Sequence, residues 1–356
     1  MNAKLPLHVT TPDGSGQVVH PDVVYIPEGF CGYRFWMVVT PYPFSRDRLE
    51  NPVIRASNDG LSWCRVDGAP DPLVPAPTPR HLHHADPDLV FDGNRLLLFY
   101  VIRNKLDRWT DFMLIESADG RQWSAPRLIY RERSCVCPAI VRSGGRWRMW
   151  YVSFQPDAGP QSSRLHLRVS DTPYQFHTAE ETVCSLDIPG HAIWHIDVIA
   201  GDEGYEALVS AFPKGKNPTR CRVFHAASRG GEHFGLTSPE PLIKPSLLGW
   251  DNRAIYRSTF LKERDGSYKI WYSGASWGMH WYIGYLAGEL FNARAVRPGE
   301  RCPRPPLYTR LLADAAGFVK YLIVVYAPRG VSRFLMDVNR TYRKRADKRE
   351  GTRHHS

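Results

Sequence analysis

The sequence predicts an all-β chain, a five-bladed β-propeller with a short C-terminal helical extension. Three observations carry this. Five segments repeat one plan: a polar or acidic start, a short apolar strand, a Gly-containing turn, then an aromatic-rich strand. Taking Asp22, Asp88, Ala139, Asp197 and Thr259 as equivalent, the repeats lie 66, 51, 58 and 62 residues apart. A period of this size with several strands per repeat is that of propeller blades. Helical periodicity is nearly absent before residue 310. The competing architecture, a β-sandwich, would need five matching repeats to arise by coincidence.

In chain order, blade one opens at His20 with HPDVVYIPEGFCGYRFWMVVT, and blade two at Asp86 with DPDLVFDGNRLLLFYV. Blade three opens at Cys137 (CPAIVRSGGRWRMWYVSF), blade four at His195 (HIDVIAGDEGYEALVSAF) and blade five at Arg257 (RSTFLKERDGSYKIWYSG). A third strand follows, ending in a tight turn and an aromatic: SNDGLSW, ESADGRQW, VSDTPYQF and the looser SRGGEHF. Asp-Gly suits such a turn, because Gly takes positive φ and Asp bonds its own backbone. The aromatic after it, like Trp123, Trp150 and Trp271, is expected to pack between blades. Pro-rich stretches such as Asp67–Arg80 read as connections between blades. The propeller is assigned to residues 1–310, its repeats from about 18 to 290. The ring is closed by the strand before residue 18 or by the segment after 290.

The 356 residues are 43% hydrophobic and 12% aromatic, which excludes long disorder. No run of about 18 apolar residues marks a membrane span. The N-terminus lacks the apolar stretch of a secretory signal, and seven cysteines make an odd set with no disulfide spacing. A reduced, cytoplasmic protein is therefore expected. The net charge of +10 is unevenly spread: from Arg329 onward nine basic residues face three acidic ones, leaving 37 against 33 in the rest. The body is nearly balanced, so no nucleic-acid partner is expected.

In a propeller the innermost strands line a central channel, and residues i and i+2 of a strand face one side. The pairs His20/Asp22, Asp86/Asp88, Cys137/Ala139, His195/Asp197 and Arg257/Thr259 should then converge on one funnel. A core does not tolerate unpaired charges in that number, and crowded carboxylates drive each other's pKa values apart, as acid and base chemistry needs. Paired carboxylates are the usual equipment for glycosidic bonds. Trp194, Tyr256, Trp277 and Trp281 adjoin these starts and are candidates to stack on sugar rings. Any single Asp can equally serve as a loop cap or a backbone partner.

These features resemble the five-bladed propeller glycoside hydrolases, the arabinanase, β-xylosidase, invertase and levansucrase group. The resemblance covers roughly the propeller. It implies a base or nucleophile Asp on blade one, a tuning Asp on blade two and a Glu acid on blade three. Asp86-Pro87 matches the second motif. Cys137-Pro138 matches the Cys-Pro of the third, but Val136 stands in the acid's place. On blade one His20 precedes Pro21, and the Asp comes after it, as Asp22. Asp22, Asp88, Asp197 and His195 are therefore the candidate catalytic residues. His20, His84, Asp86, Trp194, Tyr256, Arg257 and Trp281 are the candidate substrate contacts. Glu132 replaces the acid only if its loop folds back.

No cofactor and no metal are expected. His81, His83 and His84 beside Asp86 form no complete ligand spacing, Cys135 and Cys137 lack a second pair, and phosphate-binding Gly motifs are absent. Arg253 and Arg257 suit an acidic sugar or a phosphate. Beyond residue 310 lies an apolar segment, Leu311–Tyr326. An amphipathic basic helix, Val331 to Tyr342, and a disordered tail from Ala346 complete residues 311–356. That helix either docks on the propeller or lies on an anionic membrane surface, as a peripheral contact. Together these readings indicate an enzyme cleaving or transferring a glycosyl, even furanosyl, unit of an oligosaccharide, polysaccharide or activated sugar. The alternatives are a cytoplasmic glycosyltransferase of surface-polysaccharide synthesis held at the membrane by the basic tail, and a glycan-binding propeller without catalysis.

Overall fold

A computed structural model describes residues 5–155, 157–296 and 307–326. Five four-stranded antiparallel sheets form the blades of a propeller, each built from consecutive strands. Their innermost strands are Val18–Phe30, Leu82–Phe91, Cys135–Ser143, His191–Gly201 and Ala254–Lys262. Each pairs with the next strand in sequence, so every blade is a local meander. Strands alternate faces, and the apolar residues on both faces of a blade meet those of its neighbours. The core is thus divided among the five crevices between blades. Trp36 and Leu98 share the crevice of blades one and two, Phe99 and Met149 that of two and three, and Trp150 and Val209 that of three and four. Leu208 and Tyr272 fill the crevice of blades four and five.

Of the two closures the sequence leaves open, the N-terminal segment makes the contact. Leu7 and Val9 are buried with Trp271 and Ile283 between blades five and one, and the Leu7 N–H donates to the Ile283 carbonyl at 2.8 Å. Blade five keeps its own outer strand, Arg294–Ala295.

The turn glycines explain why aromatic strands follow the repeat so closely. Trp36, Trp150 and Trp271, on second strands, press against Gly120, Gly231 and Gly60 of a neighbouring blade's turn. Trp150 and Trp271 also donate their indole N–H to the Gly231 and Gly60 carbonyls, at 2.7 and 3.0 Å. Gly120 has φ +69°, and a Cβ there would overlap the Trp36 ring. Both the left-handed backbone and the overlap oppose a side chain. Gly120→Ala is therefore expected to destabilise by about 2–4 kcal/mol in urea titrations. Gly230→Ala, with nothing within 4 Å, is expected to stay within about 0.5 kcal/mol.

The chain divides into two compact units, residues 1–304 and 305–356. The described part of the second is the helix Leu307–Tyr326. It exposes Leu307, Tyr308, Leu311, Leu312 and Phe318. Among the described residues no helix is long and apolar enough to cross a membrane. The basic helix expected from 331 to 342, and the tail after it, lie outside the described residues.

Candidate active site

The inner strands do not run straight through the funnel. In blades one to three a bulge sets two residues against one: His20-Pro21, Asp86-Pro87 and Cys137-Pro138. Proline has no N–H for the ladder and is accepted where the ladder breaks. His20, Asp86 and Cys137 take φ of +55°, +48° and +62°, a left-handed conformation rare for such residues. In blade four the ladder shifts at Trp194, and in blade five at Tyr256-Arg257. This corrects the expectation that i and i+2 share one crowd of charges. In blades one and two the bulge falls between the paired residues; in blade four the ladder is regular from His195 to Asp197. The residues sort into two clusters: His20, Asp86 and His195, and separately Asp22, Asp88 and Asp197.

In the first cluster one carboxylate oxygen serves two imidazoles. Asp86 Oδ1 lies 3.2 Å from His20 Nε2 and 3.1 Å from His195 Nε2. Its Oδ2 accepts the Cys137 N–H at 3.1 Å. His20 Nδ1 is 3.0 Å from Thr40 Oγ1. Burial alone would raise the Asp86 pKa, but His195, His20 and Arg257 hold it well below the usual carboxylate range. Burial lowers His20 to about 3 and outweighs the pull of Asp86; His195 is lowered for the same reason. The cluster is an ionised carboxylate between two neutral imidazoles. Half-buried Tyr256 packs against both rings, with centroids 4.5 Å from His195 and 5.3 Å from His20. Its hydroxyl accepts the Trp194 indole N–H at 2.9 Å, and burial keeps its proton on to well above the ordinary range.

The second cluster ties the blades together. Asp22 Oδ2 accepts the Leu89 N–H of blade two, and its Oδ1 the Thr259 hydroxyl at 3.0 Å. Asp88 Oδ2 accepts the Ile140 N–H of blade three at 3.0 Å. Asp197 accepts the Phe260 N–H of blade five and lies beside the Thr259 hydroxyl, whose proton goes to Asp22. Arg257, wholly buried, donates to Asp88 Oδ1 at 3.0 Å and to the Pro138 carbonyl at 3.2 Å. Burial pushes all three carboxyls up, Asp197 to about 7, with Asp22 adding to the shifts of Asp88 and Asp197.

The other candidates fall on either side of the site. Trp281 packs on Tyr256 at 5.5 Å and donates to Ser45 Oγ. His84 turns away, to Asn51 Oδ1 at 3.0 Å and the Tyr100 ring. Trp277 lies under the Arg253 guanidinium. Val136 is fully buried. Glu132 stands on the outer strand of blade two and accepts the Tyr130 hydroxyl, so it does not supply the missing acid. The six described cysteines are free.

Sequence reasoning missed Glu50, in the connection after the second strand of blade one. It is 5% exposed, and burial together with the charges of Asp47 and Asp86 holds its carboxyl well above the usual range. Its charge in turn acts on Tyr256. The stretch Asp47-Arg48-Leu49-Glu50-Asn51 reads as an ordinary polar connection and carries no signal of its own. Arg103 was missed as well; the strand register sets it opposite His83.

No family model matches the chain. An A type blood N-acetyl-α-D-galactosamine deacetylase of Flavonifractor plautii is 28% identical over 313 residues, 72% of this chain. The chain spans about two fifths of that relative's length, 40%. The crystal structure of an N-acetylgalactosamine deacetylase from F. plautii, in complex with blood group B trisaccharide, aligns with TM-score 0.75 at 23% identity. That alignment covers 84% of this chain and 99% of the other. A thermostable family-43 glycoside hydrolase aligns at TM-score 0.55 and 14% identity, covering 83% and 98%. The Bombyx mori GH32 β-fructofuranosidase aligns at 0.56 and 16%, covering 83% and 66%. The chain therefore has the five-bladed propeller fold of the glycoside hydrolases it resembles in sequence, and its relatives are carbohydrate-processing enzymes.

Proposed function

We propose that this chain is a carbohydrate deacetylase, which hydrolyses the acetamide of a 2-acetamido sugar within an oligosaccharide. The observation that carries this reading is the Asp86 carboxylate shared by His20 and His195 beneath Tyr256, on a propeller whose blade-three acid position holds Val136. Two-carboxylate glycoside hydrolysis needs a free acid and a free base. The Asp22 and Asp88 carboxylates are instead engaged in bonds between blades. The similarity to a curated N-acetylgalactosamine deacetylase supports the same reading.

The donor set suits a divalent cation. His20, Asp86 and His195 offer one ligand atom each within 4.8 Å of one another. The imidazoles are neutral and the carboxylate ionised, as ligands must be. Thr40 orients the His20 ring, as outer partners of metal-binding imidazoles do. His195 Nδ1 is buried with no hydrogen-bond partner, and His20 Nε2 meets Asp86 Oδ1 at 3.2 Å without hydrogen-bond geometry. Such an ion polarises a carbonyl and acidifies water.

The chain's own groups account for the remainder. Tyr256, proton in place and steadied by Trp194, donates to the acetyl oxygen as negative charge develops on it. Glu50, with its raised pKa, takes a proton from the attacking water and returns it to the departing nitrogen. The C–N bond breaks, and acetate and a free amine leave. Trp194, stacked on Phe154 at 5.3 Å, gives a flat apolar wall for a sugar ring. Incubation with N-acetylgalactosamine and N-acetylglucosamine oligosaccharides is expected to release acetate and leave glycosidic bonds intact. A chelator should stop the release and added divalent metal restore it. Release of shorter sugars without acetate would instead establish glycosyl cleavage.

A further inference from the structure

Beside the cluster, between blades two and three, opens a cavity of about 530 Å³. Its walls include His83, Arg103, Ser134, Phe154 and Trp194. His83 lies on the strand that carries Asp86, three residues or roughly 10 Å away, and Trp194 adjoins His195. A sugar held here would be a neighbour of the one at the cluster.

The cavity's polar groups are arranged for an oxyanion. Arg103 is half-buried; its guanidinium makes no hydrogen bond or close ion pair among the described residues, and acts on the Glu50 carboxyl only through space. Its neighbour Lys105 is paired with Asp47 at 2.6 Å, and Asp47 also accepts from Tyr42. Two further side chains are more than nine-tenths buried with an unsatisfied polar atom: His83 at Nδ1 and Ser134 at Oγ. Buried polar groups are ordinarily satisfied, and a guanidinium taken out of water calls for a counter-charge. A planar, forked cation flanked by a hydroxyl and an imidazole matches a carboxylate, sulfate or phosphate oxygen set.

We propose that this cavity is a subsite for an anionic sugar residue linked to the acetamido sugar, bound by Arg103 with His83 and Ser134. The identity of the adjoining sugar rests on the deacetylase reading; the recognition of charge does not. Calorimetry with glucuronyl-N-acetylgalactosamine, its sulfated form, N-acetylgalactosamine 6-phosphate and neutral galactosyl-N-acetylgalactosamine tests it. The acidic sugars are expected to bind about tenfold or more tighter than the neutral one at low salt, and the strongest of them identifies the oxyanion. Arg103→Gln should collapse that ratio to below about threefold, with Arg103→Lys in between. Equal affinity for acidic and neutral sugars in the wild type, which requires no variant to fold, would overturn the proposal. So would an equal loss for both in a folded Arg103→Gln. Acetate release on the same sugars is read separately, so a charge preference without acetate would sink the reaction and leave the subsite standing.

Discussion

Asp86→Asn is expected to lower acetate release more than about a hundredfold while the protein stays folded. One Asp86 oxygen stands between two neutral imidazoles, and a neutral amide there removes the only negative charge of the cluster. Substituting even an outer partner of a metal-binding imidazole reduces metal affinity or activity by about 10–100-fold, and Asp86 is in direct contact with both rings. The other oxygen accepts the Cys137 N–H, a bond the asparagine carbonyl can keep, so a thermal midpoint close to wild type is expected alongside the loss. Turnover within a few-fold of wild type would remove Asp86 from the chemistry and return attention to the carboxylates of the deeper cluster.

Arg257→Met should act in the opposite manner, on stability before rate. The guanidinium is wholly buried and is the counter-ion of Asp22, Asp88 and Asp197, which come from three other blades. Removing one member of a buried ionic network costs about 3–5 kcal/mol, because the remaining charges are left without compensation. The deficit should depend on pH in a defined direction. A carboxyl whose pKa is raised on folding binds a proton in the native state that the unfolded chain has released. Stability therefore falls as pH rises from the unfolded value, about 4, toward the folded one. In the wild type Asp197, at about 7, already behaves so. Without Arg257 all three carboxyls rise further, so urea titrations should show a larger deficit at pH 8 than at pH 5. A loss below about 1 kcal/mol, or the same loss at both pH values, would mean that the three carboxyls do not depend on Arg257.

The two clusters also mark how far the sequence can be read. The recurrence of Asp22, Asp88 and Asp197 is visible in the chain because each blade repeats one hydrogen-bond task, accepting a backbone N–H from a neighbouring blade. A structural need that recurs leaves a periodic trace. His20 and Asp86 leave a weaker one, an X-Pro dipeptide at a bulge, whose effect on side-chain direction is invisible to a rule of alternation. Glu50 and Arg103 leave almost none: one lies in a connection, the other on a second strand, and neither belongs to the repeat. They meet the site only because the ring brings blades one, two and four around one axis.

By itself the sequence determined the propeller, the number of blades, the inner strands and the residues from which a funnel would be built. Those follow from local rules of alternation, Asp-Gly turns and aromatics that need a glycine to pack on, and local rules act within one repeat. How those residues divide into two buried clusters was decided only by the tertiary structure. Seven buried ionisable groups divide between a bridged His–Asp–His set and an Arg-centred brace, and in blades one and two a strand bulge separates the two residues of the pair. That division depends on contacts between residues as much as 237 positions apart in sequence, as between Thr259 and Asp22, and no period along the chain encodes it.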